Sequence, residues 1–300
     1  MKPISLGRMK VHKVHEMDSP VPLLSQLPGT TREDLQRLRE WYDQPDEITD
    51  DPETSMMTYS VHSWVIEIDG LTVLVDTCDG NHKNRSIEAV HQLNTPYLAN
   101  LAAAGFTPED IDMVMCTHLH FDHVGWNTKL ENGRWVPTFA NARYLFGKRD
   151  YEYFQTDPEG EGVHFAAFQD SILPVMDAGK GELIDEDIAI HREVGDGLWI
   201  EPAFGHSPGC FTVHAQADAE PAIFWGDVIH HPVQMLRFDL PFAFDADPVQ
   251  ACTVRRATLD RAADNGTMCF PAHFRKTSAG RVLRDGEVFK YQWIEDRHPS

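Results

Sequence analysis

The chain has 300 residues, of which 42% are hydrophobic and 24% are charged, as in an ordinary globular protein. Its formal net charge of −21 argues against nucleic acid or an anionic membrane surface as a partner. The N-terminus lacks the apolar core of a secretory signal, and no stretch reaches the roughly 20 apolar residues of a membrane span. The five cysteines show no CxxC spacing, which predicts reduced thiols and a cytoplasmic location.

Residues 1–58 are predicted to form an N-terminal extension or arm, because much of this segment is rich in proline and acidic residues. Within it, Thr30 and Glu33 have the spacing of a capping box and predict a short helix that runs through Tyr42. We expect the arm to pack on the main domain, residues 59–300, or on a second subunit. The second possibility predicts a homodimer.

Strand patterns begin with two alternating apolar runs, at 64–68 and 72–76, which flank the hairpin signal Asp69-Gly70. The elements predicted after them are a helix between Pro96 and Gly105, a buried strand at 111–116, a largely helical insertion at about 147–177, strands at 212–216 and 222–225, a helix from Asp247 and Pro248 to Gly266, and a final strand at 267–270. Helices that alternate twice with β segments favour two packed sheets with helices outside.

The run from residue 117 to residue 123 contains three imidazoles and a carboxylate: His118, His120, Asp122 and His123. Neutral imidazole and carboxylate are common ligands of Zn²⁺ and similar ions. Alternation places His118, His120 and Asp122 on one side of an extended segment, while His123 starts a new direction. One ion rarely takes four ligands from so short a run, so the spacing favours two ions. Cys116 beside the run is expected to be a packed strand residue, with a ligand role as the alternative.

Three further polar residues follow apolar strand patterns: His206 in Gly-His-Ser-Pro-Gly, Asp227 after Phe-Trp-Gly, and His273 after Pro-Ala. With these motifs the chain resembles a metallo-β-lactamase-fold hydrolase from about His62 to His273. The resemblance implies an α/β protein of the αββα sandwich type, with an N-terminal arm, a helical insertion and a catalytic site along one edge.

The resemblance also implies two divalent metal ions, with Zn²⁺ as the first expectation and Mn²⁺, Fe²⁺ or Co²⁺ as alternatives. The implied ligands are two groups of three that share a bridging Asp227, namely His118, His120 and His206 in one group, and Asp122, His123 and His273 in the other. Asp76 would orient ligands rather than bind metal. A hydroxide that bridges the ions would attack a carbonyl or phosphoryl centre.

Within this family, the chain most resembles the acyl-homoserine-lactonase-like and the organophosphate (methyl parathion) hydrolase-like members. In the lactonases a tyrosine typically lies three residues after the bridging aspartate and contacts the substrate, but here the residue is His230. His230 is therefore a candidate catalytic residue with Asp122 and Asp227, and bracing the metal ligands is its alternative role. Apolar candidates for a substrate pocket, which core packing explains nearly as well, are Phe121, Trp126, Met235, Leu236, Phe238 and Phe242.

The leading hypothesis is a binuclear metal-dependent hydrolase that opens a lactone or cleaves a carboxylic ester of a small molecule. Phosphotriester hydrolysis is the alternative within enzymes. The alternative of another class is a non-hydrolytic metal-binding protein or an iron-dependent oxidative protein. The set of seven ligands argues against the single-iron dioxygenases of this superfamily, which use only half of it.

Overall fold

The computed structural model describes residues 2–42, 48–156, 162–185, 197–218 and 220–294. The strands are β1 (Ile4–Leu6), β2 (Met9–Pro22), β3 (Met56–Ile68), β4 (Leu71–Val75), β5 (Met113–Met115), β6 (Thr128–Glu131), β7 (Arg134–Pro137), β8 (Arg143–Gly147), β9 (Gly181–Ile184), β10 (Leu198–Pro202), β11 (Phe211–Ala217), β12 (Glu220–Phe224), β13 (Met268–Phe270), β14 (Gly280–Asp285) and β15 (Val288–Trp293). The helices are α1 (Leu23–Gln26), α2 (Arg32–Leu38), α3 (Tyr97–Ala103), α4 (Phe121–Val124), α5 (Lys148–Gln155), α6 (Val163–Ala167), α7 (Leu173–Asp177), α8 (Val233–Leu236) and α9 (Pro248–Asn265).

The strands form two large sheets and one small hairpin. The first sheet has the order β1-β2-β3-β4-β5-β8-β9, the second has the order β10-β11-β12-β13-β14-β15, and β6 pairs with β7. In the first sheet β4, β5, β8 and β9 are parallel to one another, and in the second sheet β12 is parallel to β13. These parallel strands determine which loops meet at the functional site.

The inner faces of the two sheets meet in one apolar core. Trp64 on β3 projects into this core, and its ring lies 5.0 Å from the ring of Phe270 on β13. The next residue on β3, Val65, points to the opposite face and packs with Tyr97 of α3. Leu259 of α9 packs on the outer face of the second sheet. The αββα sandwich predicted from the sequence is confirmed.

The N-terminal residues are part of the sandwich rather than a separate arm. β2 is antiparallel to β3 along most of its length, from Lys10 opposite Glu67 to Pro22 opposite Met56. The predicted boundary between residues 58 and 59 is therefore wrong, because β3 runs through it without a break.

Helix α2 packs against the C-terminal part of the same chain. Its capping box lies one residue beyond the predicted position, with Thr31 and Asp34 bonded to each other's backbone amides. Leu35 and Leu38 are fully buried in a cluster with Leu236 of α8. Since the apolar face of α2 is covered within one chain, it supplies no exposed face for a second subunit. The homodimer stays a prediction.

Most of the predicted elements occur near their expected positions. The hairpin of β3 and β4 turns at Asp69-Gly70, and α9 begins after the cap of Asp247 and ends at Gly266, whose φ is +60°. β13 is not the final strand, because β14 and β15 follow it and complete the second sheet. The 147–177 segment is helical where it is described, and residues 157–161 lie outside the described residues.

Within the described ranges, no helix combines the length and the apolar character that crossing a membrane requires. All five cysteines are free thiols. Cys116 packs on the outer face of the first sheet, with its Sγ 3.6 Å from Asn127 Oδ1. Of its two proposed roles, the packed strand residue is therefore the one that agrees with its contacts.

Candidate metal centre

Polar residues follow the ends of four strands and meet at one edge of the sandwich. Asp76 follows β4 and the histidine run follows β5, while Asp227 and His273 follow β12 and β13. Because β4 is parallel to β5 and β12 to β13, each pair carries its residues to the same end of its sheet. A hydrogen bond of 2.9 Å from the Phe211 amide to the Thr117 carbonyl joins the two sheets at this edge.

The histidine run is extended only at its start. The extended segment ends at His120, and α4 begins at Phe121, so Asp122 and His123 lie on a helical turn. The prediction that His118, His120 and Asp122 share one side of an extended segment is therefore wrong. The turn matters because it directs Asp122 and His123 toward a different set of partners from those of His118 and His120.

His206 lies on the loop between β10 and β11, where the backbone of Gly205 fixes its position. Gly205 has a φ of +134°, and a Cβ atom there would lie 2.3 Å from the Ala251 amide nitrogen. The Gly205 carbonyl accepts a hydrogen bond from the amide of Asp247, the cap of α9. The loop is thereby held against the first turn of α9, with His206 Nε2 3.3 Å from Asp227 Oδ2.

The predicted ligands form two groups that share Asp227, and within each group the candidate ligand atoms lie within 4.8 Å of one another. The first ligand group is His118, His120, His206 and Asp227, and the second ligand group is Asp122, His123, His273 and Asp227. The two oxygens of Asp227 face different groups, since Oδ2 is the one near His206 while Oδ1 lies 3.0 Å from His273 Nε2. This is the division that the family resemblance implied.

The donor atoms fit metal ions. Among the described residues, His118 Nε2, His123 Nε2 and Asp227 Oδ1 are buried without a hydrogen-bond partner. Such an atom costs about 1–3 kcal/mol unless something else satisfies it. Imidazole nitrogens and carboxylate oxygens at these separations suit Zn²⁺, Mn²⁺, Fe²⁺ and Co²⁺ alike. The two ligand groups are therefore compatible with a binuclear metal site.

The protonation states of the candidate ligands depend on their neighbours. Burial lowers the pKa of His118 and of His120 well below the ordinary value, so both rings are neutral and offer a lone pair. Burial alone would raise the pKa of Asp227, but the surrounding imidazoles, that of His123 foremost, hold it well below its ordinary value. Burial alone would lower the pKa of His123 and of His206, but neighbouring carboxylates, Asp227 foremost, raise the pKa of His123 well above its ordinary value and that of His206 to about 9. These two rings would release a proton on binding metal, because only neutral imidazole is a ligand.

Two other carboxylates contact the Nδ1 atoms of candidate ligand histidines. Asp76 Oδ2 lies 2.9 Å from His123 Nδ1, and Asp76 Oδ1 accepts a hydrogen bond of 2.7 Å from the Thr117 amide. Asp245 Oδ1 lies 3.1 Å from His206 Nδ1. Contacts of this kind fix the orientation and the tautomer of a ligand ring. Asp76 lies where a residue that orients ligands was expected, whereas no motif in the sequence marks Asp245.

His230 lies beside the two ligand groups. Its Nε2 is 3.2 Å from Asp227 Oδ2, and its ring stacks on Phe242 with 3.7 Å between the ring centroids. Burial lowers the pKa of His230 to about 4, so the ring is neutral and carries one proton. Among the described residues, Nδ1 has no hydrogen-bond partner, and the only acceptor near Nε2 is Asp227. A buried histidine in this condition is typical of a functional site rather than of a packed core.

A mainly apolar pocket opens onto Asp227 and His230. Its other lining side chains include Val21, Tyr59, Ile87, Val90, Phe121, Val163, His164, Phe242 and Phe244. Phe244 and Ile87 are 60% and 43% exposed, so the mouth of the pocket is apolar as well. Apolar walls with a few polar groups at the base are typical of small-molecule sites.

The sequence identified only part of this pocket. Phe121 and Phe242 line it, but the other predicted residues belong to packed clusters instead, namely Trp126, Met235, Leu236 and Phe238. Trp126 donates its indole N–H to Glu16 at 2.6 Å, and Met235 is fully buried. Their apolar character thus reflects core packing, the alternative that the sequence had left open.

Two pocket residues were missed altogether. The ring of Tyr59 meets the ring of His273 edge-on at 4.9 Å, and the ring of His164 stacks on His120 at 4.1 Å. Neither residue belongs to a recognisable motif. Tyr59 comes from β3 and His164 from α6, and only the tertiary fold brings these segments to the ligands.

Comparisons with known proteins agree with this geometry. Residues 57–273, which include every candidate ligand, match the family model of the metallo-beta-lactamase superfamily. An N-acyl homoserine lactonase from Bacillus cereus is 25% identical over 148 residues, which is 49% of this chain. The chain spans about half the length of that relative, since the match covers 50% of it.

Two solved structures share the fold over nearly the whole chain. The hydrolase AbOPH of the beta lactamase superfamily is 20% identical, with a TM-score of 0.81 over 99% of this chain and 98% of that chain. AidC, a dizinc quorum-quenching lactonase in complex with a product, is also 20% identical, with a TM-score of 0.80 over the same shares. At such identities the likeness shows the fold. The match of residues 57–273 to the family model establishes that the chain belongs to the metallo-beta-lactamase superfamily.

Proposed function

We propose that this metal-dependent hydrolase opens a lactone or cleaves a carboxylic ester of a small apolar molecule, with Zn²⁺ as its ion. One observation carries the proposal: Asp227 presents its two oxygens to two ligand groups at the base of an apolar pocket. The similarity to an N-acyl homoserine lactonase and the fold shared with a dizinc lactonase support the lactone and the choice of zinc.

Two divalent cations at this site would polarise a carbonyl oxygen and lower the pKa of a water molecule. The protein groups prepare the site for them. Asp227 holds a negative charge between the ligand groups, and Asp76 and Asp245 orient the rings of His123 and His206. The apolar pocket walls make the surroundings of these groups less polar, which strengthens the electrostatic contacts at the base of the pocket.

His230 is the group best placed to act on the substrate itself. Its neutral ring can donate a hydrogen bond from its N–H to an oxyanion or to the departing oxygen. The stacked ring of Phe242 keeps the imidazole plane in place. Since His230 stands where the lactonases have a tyrosine, phosphotriester hydrolysis is the second candidate function.

The proposal is tested by metal analysis combined with a substrate panel. The panel contains lactones, aryl esters, thioesters and phosphotriesters, and each is assayed with protein loaded with Zn²⁺, Mn²⁺ or Co²⁺. We expect two ions per chain and the highest kcat/KM for a lactone or an ester. One ion per chain, or no turnover of any compound, would contradict the proposal. A preference for phosphotriesters would select the second candidate.

Replacing His230 with phenylalanine should lower kcat by about 10²–10³-fold, the range for a lost hydrogen-bond donor to an oxyanion. The bound ions should remain at two per chain, because phenylalanine preserves the stacking on Phe242 and His230 belongs to neither ligand group. Steady-state kinetics and metal analysis on the same sample measure both quantities. If bound ions and turnover were lost together, His230 would instead have the alternative role of supporting the metal ligands.

His231→Phe is the matched control for that variant. His231 is the next residue and is also buried, but its ring faces Tyr42 at 5.5 Å and does not line the pocket. The substitution should therefore change thermal stability and leave kcat at the wild-type level.

The apolar mouth predicts that affinity increases with the length of the substrate's alkyl chain. Each methylene that becomes buried contributes about 0.8 kcal/mol, so KM should fall by up to about fourfold per methylene. Phe244→Ala should weaken this dependence, because it removes the most exposed aromatic wall. Val249→Ala, a change at a side chain that is 79% exposed on α9 and outside the pocket, serves as the control. A KM independent of chain length would contradict an apolar substrate subsite.

A further inference from the structure

A buried carboxylate outside both ligand groups lies behind the first of them. Asp150 is on the first turn of α5, and it is 0% exposed. It accepts three hydrogen bonds, from the Leu119 amide at 3.0 Å, the Ser207 hydroxyl at 2.8 Å and the Gly209 amide at 2.5 Å. In the described part of the chain, no lysine or arginine is paired with it. These three donors therefore compensate its buried charge.

The three donors belong to the two loops that carry the histidines of the first ligand group. Leu119 lies between His118 and His120, and Ser207 directly follows His206. The first of these loops follows β5 of the first sheet, and the second joins β10 to β11 of the second sheet. One carboxylate thus fixes the distance between backbone segments that come from different sheets.

The second ligand group is held by a different carboxylate. Asp76 contacts the ring of His123 and both the amide and the hydroxyl of Thr117, and this hydroxyl lies 3.2 Å from His118 Nδ1. None of the three donors to Asp150 is a sequence neighbour of a candidate ligand in the second group. Burial raises the pKa of Asp150 to about 6, but at neutral pH the group remains ionised and accepts all three bonds. Asp150 therefore supports the first half of the site, whereas Asp76 contacts residues that serve both halves.

We propose that Asp150 is a positioning residue for the ion of the first ligand group. It sets the backbone of the two loops so that His118, His120 and His206 converge on one point. The inference rests on the proposed two-ion function and adds which ion depends on Asp150. It also gives α5 a role, because this helix supplies the acceptor that couples the two loops.

The test measures ion binding rather than turnover. Full-length wild-type protein and the Asp150→Asn variant are loaded with Co²⁺ and titrated with a competing chelator while the visible absorption of the bound Co²⁺ is recorded. Asparagine keeps the size of the side chain but replaces one acceptor oxygen with a donor, which then faces another donor. Residues that support metal ligands typically contribute 10–100-fold to affinity. We expect one Co²⁺ site to weaken by about this factor and the other to stay unchanged.

Two ligand variants show which site has weakened. His120→Ala removes a ligand of the first group, and His273→Ala removes a ligand of the second group. When the chelator has removed the more weakly bound Co²⁺ from Asp150→Asn, the ion that remains should be the one in the second ligand group. Its absorption spectrum should then match that of His120→Ala, which lacks a ligand of the first group, and not that of His273→Ala. A merely structural role for Asp150 would not produce this match.

Asp170→Asn is the matched control. Asp170 is a largely buried carboxylate in the same helical segment, and it pairs with Arg85 at 2.7 Å. This change should lower Tm and leave both Co²⁺ affinities unchanged. Ser207→Ala removes one donor and keeps the carboxylate, so it should weaken the same site by a smaller factor. If Asp150→Asn does not fold, Ser207→Ala is used for the test in its place.

The outcomes separate the inference from the function on which it rests. If wild-type protein binds two ions while the Asp150 and Ser207 variants weaken both sites equally or neither, the inference is overturned and the proposed function stands. If wild-type protein binds fewer than two ions, the proposed function fails, and the inference fails with it.

Discussion

Replacing Asp227 with alanine should abolish two-ion binding and lower kcat/KM by about 10³-fold or more. Of the described residues, Asp227 is the one that belongs to both ligand groups, and it offers one oxygen to each. Stabilisation of the transition state by metal ions is worth several kcal/mol, and each 1.4 kcal/mol is about tenfold in rate. Metal analysis and steady-state kinetics with the preferred substrate of the panel measure the two effects.

The control for this variant is Asp239→Ala. The Asp239 side chain is 60% exposed and pairs with Arg237 at 2.9 Å, so its loss should change neither the ion content nor the turnover. Retention of two ions and of wild-type kcat/KM by Asp227→Ala would refute the assignment of Asp227 as the shared ligand.

Replacing Arg255 with methionine should lower the free energy of unfolding by about 3–5 kcal/mol, the range for a broken buried ion pair. The Arg255 guanidinium is fully buried, and one of its nitrogens lies 3.6 Å from Asp245 Oδ2. It also donates to the carbonyl of Val228 at 2.9 Å and to that of Leu240 at 2.6 Å. Methionine fills a similar volume but leaves the Asp245 carboxylate without a countercharge and these carbonyls without a donor.

Urea unfolding at neutral pH measures this loss, and the neighbouring Arg256→Met is its control. The Arg256 side chain is 33% exposed and pairs with Asp260 at 2.7 Å, a contact expected to contribute at most about 1 kcal/mol. If the two variants lose the same free energy, Arg255 does not have the stabilising role that its burial implies. Since Asp245 also contacts His206, we expect the Arg255 variant to hold its ions less tightly.

The candidate ligands could be identified from the sequence because local signals mark them. The run of His118 to His123 is conspicuous by composition alone, and His206, Asp227 and His273 each follow an apolar strand. The hairpin at Asp69-Gly70 and the caps of α9 are likewise local. In all these cases the residues that specify the feature lie within a few positions of it.

The features that were missed depend on distant partners. β2 buries Met9, Val11 and Val14 between polar residues, but its prolines and charges resemble a linker until β3 pairs with it. The walls of the pocket come from six separate parts of the chain, so apolar residues near the candidate ligands in sequence, such as Trp126, were a poor guide. Asp150 and Asp245 act through hydrogen bonds to residues 31 to 59 positions away. No spacing rule connects such pairs.

The division of ligands between the sheets has a mechanical consequence. Each ligand group takes two residues from loops of the first sheet and two from loops of the second, since Asp227 counts in both. An ion in either group would therefore link the two sheets at this edge of the sandwich. Ion binding at a thousandfold excess over Kd adds about 4 kcal/mol to the free energy of unfolding, and here that energy would resist separation of the sheets. Release of an ion would then require the two sheets to separate at this edge. A chelator would therefore lower the stability of the fold mainly beside the proposed substrate pocket.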